Sequence, residues 1–211
     1  EHYLNRKGTH KMMIFIEKSL VFFATPKTGS TAYHQALGHK AEMFFSKSNQ
    51  VKHITPKRFN ETFRPFVSTL MPEPPTTVAV IRDPIEWLGS WYRYRSRNDM
   101  RGHPNSTAHL SFDDFANAYM SEPQPDCANV GSQALFLTGG ETAPLVEQIW
   151  RYDALNDLTL FLSLRLQHEF HLNPWNVSPT GDTTLSPKTE RALKSYFQAD
   201  YDLYENAIGA P

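Results

Sequence analysis

The sequence predicts an α/β sandwich of three layers, with a central, mostly parallel sheet flanked by helices. Three observations lead there. Apolar runs of strand length alternate with longer amphipathic stretches, the order expected of crossover units. Several amphipathic stretches open on helix-start signals. The 211 residues include 40% hydrophobic and 13% aromatic side chains, enough to bury a core and to exclude a disordered chain.

Residues 1–11 (EHYLNRKGTHK) are polar and patternless and are expected to be a leader ahead of a single domain over 12–211. Four runs read as strands: the continuous apolar 19–25, the shorter 42–46, the β-branched 77–82, and 146–152, which alternates more loosely. The run 12–16 is also strand-sized. Helical patterns cover 30–38, 56–66, 84–97, 111–120, 130–138, 154–168 and 187–198. Thr55-Pro56 and Ser186-Pro187 each set a capping hydroxyl before a first-turn proline, and Ser111 with Asp114 makes a capping box.

Lys+Arg 21 against Asp+Glu 22 leaves a formal charge of −1, which argues against nucleic-acid binding by bulk charge. Any basic site has to be local. Cys127 is the single cysteine, which excludes an intramolecular disulfide framework and a cysteine-clustered zinc site. No apolar run approaches the roughly 18 residues of a membrane span. The expected compartment is the cytoplasm, the alternative being a Golgi-lumen domain separated from its anchor. Sequons at Asn60, Asn105 and Asn176 are read as chance occurrences.

The most informative stretch runs from the 19–25 strand through Pro26, Lys27, Thr28, Gly29, Ser30, Thr31 and Ala32 into a helix. A strand–turn–helix of this kind points backbone N–H groups and the positive end of a helix dipole at one spot, a ready anion site. Gly29 permits close approach, Ser30 and Thr31 add hydroxyls, and Lys27 adds a charge; the plain alternative is an ordinary turn with a solvated lysine. The architecture is therefore P-loop-like, but Walker A does not fit. That motif sets its lysine after the second glycine, whereas Lys27 precedes Gly29.

A second basic element reads RDPIEWLGSWYRYRSR over 82–97. Arg82 ends a strand, at the edge where open α/β sheets bind ligands. On the helix that follows, Trp87, Ser90, Tyr94 and Arg97 share a face. Aromatic residues at this spacing ordinarily pack a core, and Arg93, Arg95 and Arg97 are expected mostly to form a solvated face. Arg82 and Ser90 are the candidates for a second phosphate.

Taken together, PKTGSTA and the strand ending Arg82-Asp83-Pro84, with Ser90 eight positions beyond Arg82, resemble the sulfotransferases that use 3′-phosphoadenosine 5′-phosphosulfate (PAPS). Two further segments are similar to that family: Arg151-Tyr152-Asp153-Ala154-Leu155 to its RYEDL-like turn, and Asp200-Tyr201-Asp202-Leu203-Tyr204 to the D-x-x-L-Y tail of carbohydrate-type members. The resemblance spans 20–204. It implies that the loop from Lys27 to Ala32 cradles the 5′-phosphosulfate, and that Arg82 and Ser90 hold the 3′-phosphate. The family's RKG-type segment near the C-terminus is missing, which leans toward the carbohydrate-type or compact bacterial branch.

The expected chemistry is metal-independent transfer of a sulfuryl group to a hydroxyl of a saccharide or small alcohol, leaving 3′-phosphoadenosine 5′-phosphate (PAP). Lys27 is the candidate for stabilising charge on the departing phosphate. A base is needed for the acceptor hydroxyl. Of nine histidines, His53 is the candidate, since it follows the second predicted strand and resembles the family's K-x-H segment; Glu42 and Glu61 are the fallbacks. The loops 98–112 and 120–132 are expected to shape the acceptor site, with Trp91, Tyr92 and Tyr94 able to stack on a sugar. The alternatives are a P-loop nucleotide kinase and a non-catalytic module that binds PAP or another phosphate ligand.

Overall fold

The computed structural model describes residues 12–44, 54–173 and 181–209. Five strands form one open sheet: β1 (Met13–Phe15), β2 (Leu20–Phe22), β3 (Met43–Phe44), β4 (Thr76–Ile81) and β5 (Gln148–Arg151), in the order β3-β1-β2-β4-β5. β2, β4 and β5 pair in parallel, while β1 pairs antiparallel with β2 and with β3. Four strands therefore run one way and only β1 is reversed. The reversal follows from a tight hairpin over 16–19, closed by the Ser19 N–H on the Ile16 carbonyl at 3.0 Å, with Ser19 at φ 46°. Thus the strand-sized run at 12–16 is a fifth strand, one more than the four expected.

Alternation along the strands sends side chains to both faces. On one face Ile14, Val21, Phe23, Ala79, Ile81 and Ile149 pack against Phe59, Val67 and Leu137. On the other, Phe15, Phe22, Val78, Val80 and Trp150 meet Tyr33, Leu37, Leu158 and Leu162. Helices α1 (Ser30–Leu37) and α7 (Leu155–Leu166) cover this second face. The first is covered by α6 (Gln133–Thr138) and by the segment 56–68. That segment begins as α2 (Pro56–Arg58), widens to a π turn over Phe59–Phe63, and ends as α3 (Arg64–Ser68). Pro65 explains the widening: it has no N–H for the Glu61 carbonyl, and Arg64 N–H instead reaches back to the Phe59 carbonyl. The single helix expected over 56–66 is thus broken.

A third cluster lies beside the sheet. Helices α4 (Pro84–Arg95), α5 (Phe112–Tyr119), α8 (Pro187–Tyr196) and α9 (Gln198–Glu205) bury Trp87, Leu88, Phe112, Phe115, Tyr119, Leu193 and Phe197 together. The starts of α5 and α8 are capped as the sequence predicts. Ser111 and Asp114 form the capping box, and Ser186 accepts from Thr189 N–H. Asp83 accepts from Glu86 N–H ahead of Pro84. Helix α6 begins at Gln133 rather than 130, because Gly131 sits at φ 70° and Ser132 is the cap. Among the described residues no helix is long and apolar enough to cross a membrane. Residues 1–11 lie outside the described residues.

Candidate anion-binding site

The three parallel strands end at one edge of the sheet, and each hands a basic or aromatic residue to it. β2 leads into Thr25-Pro26-Lys27-Thr28-Gly29, β4 into Arg82, and β5 into Tyr152. The loop after β2 turns sharply: Lys27 has φ 66° and Gly29, the residue that caps α1, has φ 75°. The glycine has a second reason to be there. A Cβ at Gly29 would stand 3.3 Å from Tyr152 Cε2, too close without displacing the ring. Within the loop, Thr28 Oγ1 donates to the Thr25 carbonyl at 2.9 Å and Ala32 N–H to the Gly29 carbonyl at 2.9 Å. These two groups brace the turn. Ser30 is buried and Thr31 half-buried at the first turn of α1.

Helix α4 locks onto this loop. The Trp87 indole N–H donates to the Pro26 carbonyl at 2.9 Å. Lys27 Nζ then lies 4.3 Å from the centroid of the Tyr94 ring and 5.5 Å from that of Trp91, a cation held over two π faces. The Arg97 guanidinium also lies over the Tyr94 ring, 4.8 Å from its centroid. Burial, together with the charges of Arg97, Arg82 and Arg93, depresses the Lys27 pKa to about 7. Four basic side chains therefore converge in a chain whose net charge is −1. Arg82 packs over the Tyr152 ring at 4.5 Å and pairs with Glu86 through Nε and Nη2, both at 3.2 Å. Ser90 is buried on the same helix.

Two expectations need correction. Arg95 is buried and donates to the carbonyls of Asp126, Cys127 and Asn129, so it is an internal clamp on the 126–129 loop, not part of a solvated face. Arg93 and Arg97 lie close enough to Lys27 to repel it and belong to the cationic cluster. Tyr92 does not offer itself to a ligand either: its hydroxyl donates to the Leu110 carbonyl, and its ring packs on Phe112 and Phe115.

Reasoning from sequence assigned no site role to three residues at this edge. Tyr152 forms a wall between Gly29 and Arg82; its position immediately after β5 was the available signal. Gln133 exchanges two hydrogen bonds with the Arg82 backbone, accepting from its N–H and donating to its carbonyl, each at 2.9 Å. Gln133 in turn is fixed by Asp200, whose carboxylate accepts from the N–H groups of Gln133 and Ala134 at 2.9 and 3.1 Å. Asp200 thus acts as a long-range helix cap for α6. Burial pushes its pKa up to about 6, against the pull of those hydrogen bonds.

The segments 151–155 and 200–204 meet each other. Arg151 pairs bidentately with Asp153, through Nε at 2.9 Å and Nη2 at 2.6 Å, and Nη2 also donates to Tyr204 Oη at 2.7 Å. This arrangement ties the end of β5 to α9. It also holds the Asp153 carboxyl below its usual range, through the Arg151 hydrogen bonds. His53 lies outside the described residues. Of the fallback bases, Glu42 accepts from Ile16 N–H at 2.9 Å beside the hairpin, and Glu61 is exposed on the π turn.

Beside the loop, on the side away from α1, lies a cavity of about 210 Å³ bounded by Thr25, Pro26, Trp87 and the start of α6. Its walls include 130–133, within or next to a loop expected to shape the acceptor site, but nothing from 98–112. No protein-family model, curated protein or solved structure matches the chain.

Proposed function

We propose that the chain transfers a sulfuryl group from PAPS to a hydroxyl acceptor. One observation carries the reading: Lys27, Arg82, Arg93 and Arg97 converge at a left-handed strand–helix loop, with Glu86 paired to Arg82 as the nearby carboxylate. Such a cluster is repulsive in the free protein and is relieved by a ligand bearing more than one anionic group. PAPS has two such ends. The loop at Lys27–Ala32 receives the 5′-phosphosulfate, and Arg82, with Ser90 behind it, receives the 3′-phosphate.

In this reading the acceptor oxygen attacks sulfur in line. A new O–S bond forms as the S–O bond to the bridging oxygen breaks, and that electron pair leaves on the 5′-phosphate of PAP. The acceptor proton passes to a base, for which His53 is the candidate by sequence. Lys27, protonated by the arrival of the anion, neutralises the charge that accumulates on the leaving phosphate. Proximity and charge stabilisation are the protein's contribution.

Calorimetric titration with PAP, beside ATP–Mg²⁺ and 5′-AMP, tests the reading. PAP is expected to bind without metal, and 5′-AMP much more weakly. A charge-assisted contact of this kind contributes about 1.5–3 kcal/mol, so Arg82→Ala is expected to weaken PAP by roughly 10- to 100-fold. It should leave adenosine 5′-phosphosulfate, which lacks the 3′-phosphate, much less affected. Equal losses would remove Arg82 from the 3′-site, and preference for ATP–Mg²⁺ would turn the assignment toward a nucleotide kinase.

A further inference from the structure

Lys27 is placed unlike the other lysines among the described residues. Lys57 pairs with Glu141, Lys194 pairs with Glu190, and Lys18 donates to the Gln167 side chain. Lys40 and Lys188 are exposed. Lys27 is half-buried, facing the guanidiniums of Arg97, Arg82 and Arg93 and the rings of Trp91 and Tyr94. Among the described residues no carboxylate offsets those charges at Lys27. Glu86, on the same helix as Arg93, is engaged by Arg82 through Nε and Nη2. From the end of β5, Tyr152 presents a ring to Arg82. Burial among like charges withholds the proton from an amine, and an unprotonated amine is a nucleophile. The place is open to solvent, since Tyr94, the ring that Nζ faces, is 38% exposed.

We propose that Lys27 is a site of reversible carbamylation by carbon dioxide, and that the carbamate, held by the surrounding guanidiniums, excludes phosphate ligands from the loop. The step balances with no further reactant. The Nζ lone pair forms an N–C bond to carbon dioxide, one C–O π pair moves onto oxygen, and an amine proton leaves to solvent. An anion then stands where a cation stood. The arginines that disfavour an ammonium at Lys27 favour this product, as charge-assisted donors to its oxygens. The supply of free amine agrees. With Lys27 depressed to about 7, most of it is unprotonated at pH 7.5, against about one in a thousand for an ordinary lysine. A phosphate pulls the other way, because an adjacent anion favours the ammonium. Carbon dioxide and a phosphate ligand therefore oppose each other at one nitrogen. The modification stands on the cluster itself; only its effect on sulfuryl transfer rests on the reading above.

The test is ¹³C NMR of the protein in ¹³C-bicarbonate at pH 7.5, with trapping by triethyloxonium and peptide mass spectrometry. A carbamate resonance separate from bicarbonate is expected, with the trapped ethyl carbamate on the peptide that holds Lys27. The trapped mass is read on the wild-type protein, so the assignment does not depend on a variant folding. Lys27→Arg keeps the charge and removes the nucleophile, and the resonance should vanish. Arg97→Gln returns protons to Lys27 and removes a partner of the carbamate, so occupancy should fall several-fold. Trapping on other lysines alone, a resonance that persists in Lys27→Arg, or unchanged occupancy in Arg97→Gln would overturn the proposal. Bicarbonate bound intact, seen as broadening of its own line with no trapped mass, would overturn it as well. Inorganic phosphate should erase the carbamate resonance, and coexistence of the two would overturn the exclusion. PAP separates the two readings. Where half the chains are carbamylated, the apparent Kd for PAP should rise about twofold. Failure of PAP to bind would remove the sulfuryl-transfer reading and leave a phosphate-sensitive carbamate standing, whereas PAP binding with no carbamate formed would overturn the carbamate alone.

Discussion

Lys27 concentrates the electrostatics of the site. Its pKa is depressed to about 7 by burial first and by Arg97, Arg82 and Arg93 next. For a group depressed in this way, charging opposes folding: its contribution to stability is present above the ordinary lysine value and is lost as pH falls through about 7. A bound phosphate reverses the balance, because an adjacent anion favours the ammonium. PAP binding between pH 7 and 10 should therefore take up protons, and affinity should decline as pH rises across that window. Calorimetry at pH 8.5 in buffers of differing ionisation enthalpy checks this, with Lys27→Met expected to abolish the uptake. A flat affinity profile would place Lys27 away from the ligand. At this scale, Lys27, Gly29 and Arg82 were legible because each belongs to a local strand–turn or strand–helix pattern. Tyr152 and Gln133 were not, since their roles arise from contacts 123 and 51 positions away in the chain, at Gly29 and Arg82.

Elements were easier to read than their junctions. Capping hydroxyls at Ser111 and Ser186 act where the sequence places them, because a cap is settled within four residues. The hairpin direction of β1 and the π turn before Pro65 depend on how neighbouring backbone groups are satisfied, so the apolar pattern alone was silent. Helix α6 shows how far such satisfaction can reach: Asp200, from α9, caps its first two N–H groups and through Gln133 steadies the end of β4. Its raised pKa means that stability from this group is fully present below the ordinary carboxylate value and is lost as pH rises through about 6. Asp200→Asn keeps an acceptor oxygen and removes the ionisation, so urea midpoints of the variant should lack the loss of stability that wild type shows between pH 4 and 6. Asp200→Ala should lose about 1–2 kcal/mol at all pH values, the usual range for deleting a cap. It should also loosen PAP, since Arg82 loses its backbone support. Parallel pH profiles for wild type and Asp200→Asn would show that another group carries the slope.

Across the whole molecule, the distribution of charge is more informative than its sum. A net charge of −1 argued against a polyanion-coating surface, and it left room for a local concentration of Lys27, Arg82, Arg93 and Arg97. The three-layer architecture makes that concentration possible. Parallel β2, β4 and β5 deliver their ends to one edge, and α4, anchored by Trp87 on Pro26, closes over it. Such a site is a store of repulsion that a nucleotide bearing two phosphates relieves, so ligand and fold should stabilise each other. At 100 times its dissociation constant, a ligand that binds only the folded state adds about 2.7 kcal/mol. For a domain of this size, that corresponds to a rise in Tm of roughly 5–10 °C. PAP should produce such a rise and 5′-AMP at equal concentration a smaller one. The difference should shrink as salt is raised from 50 to 500 mM, because screening weakens both the repulsion and its relief. Arg82→Ala should abolish the advantage of PAP over 5′-AMP. Equal rises with the two nucleotides in the wild-type protein would mean that the cluster recognises one phosphate, and the pairing of loop and strand-end arginine as a two-phosphate site would fall.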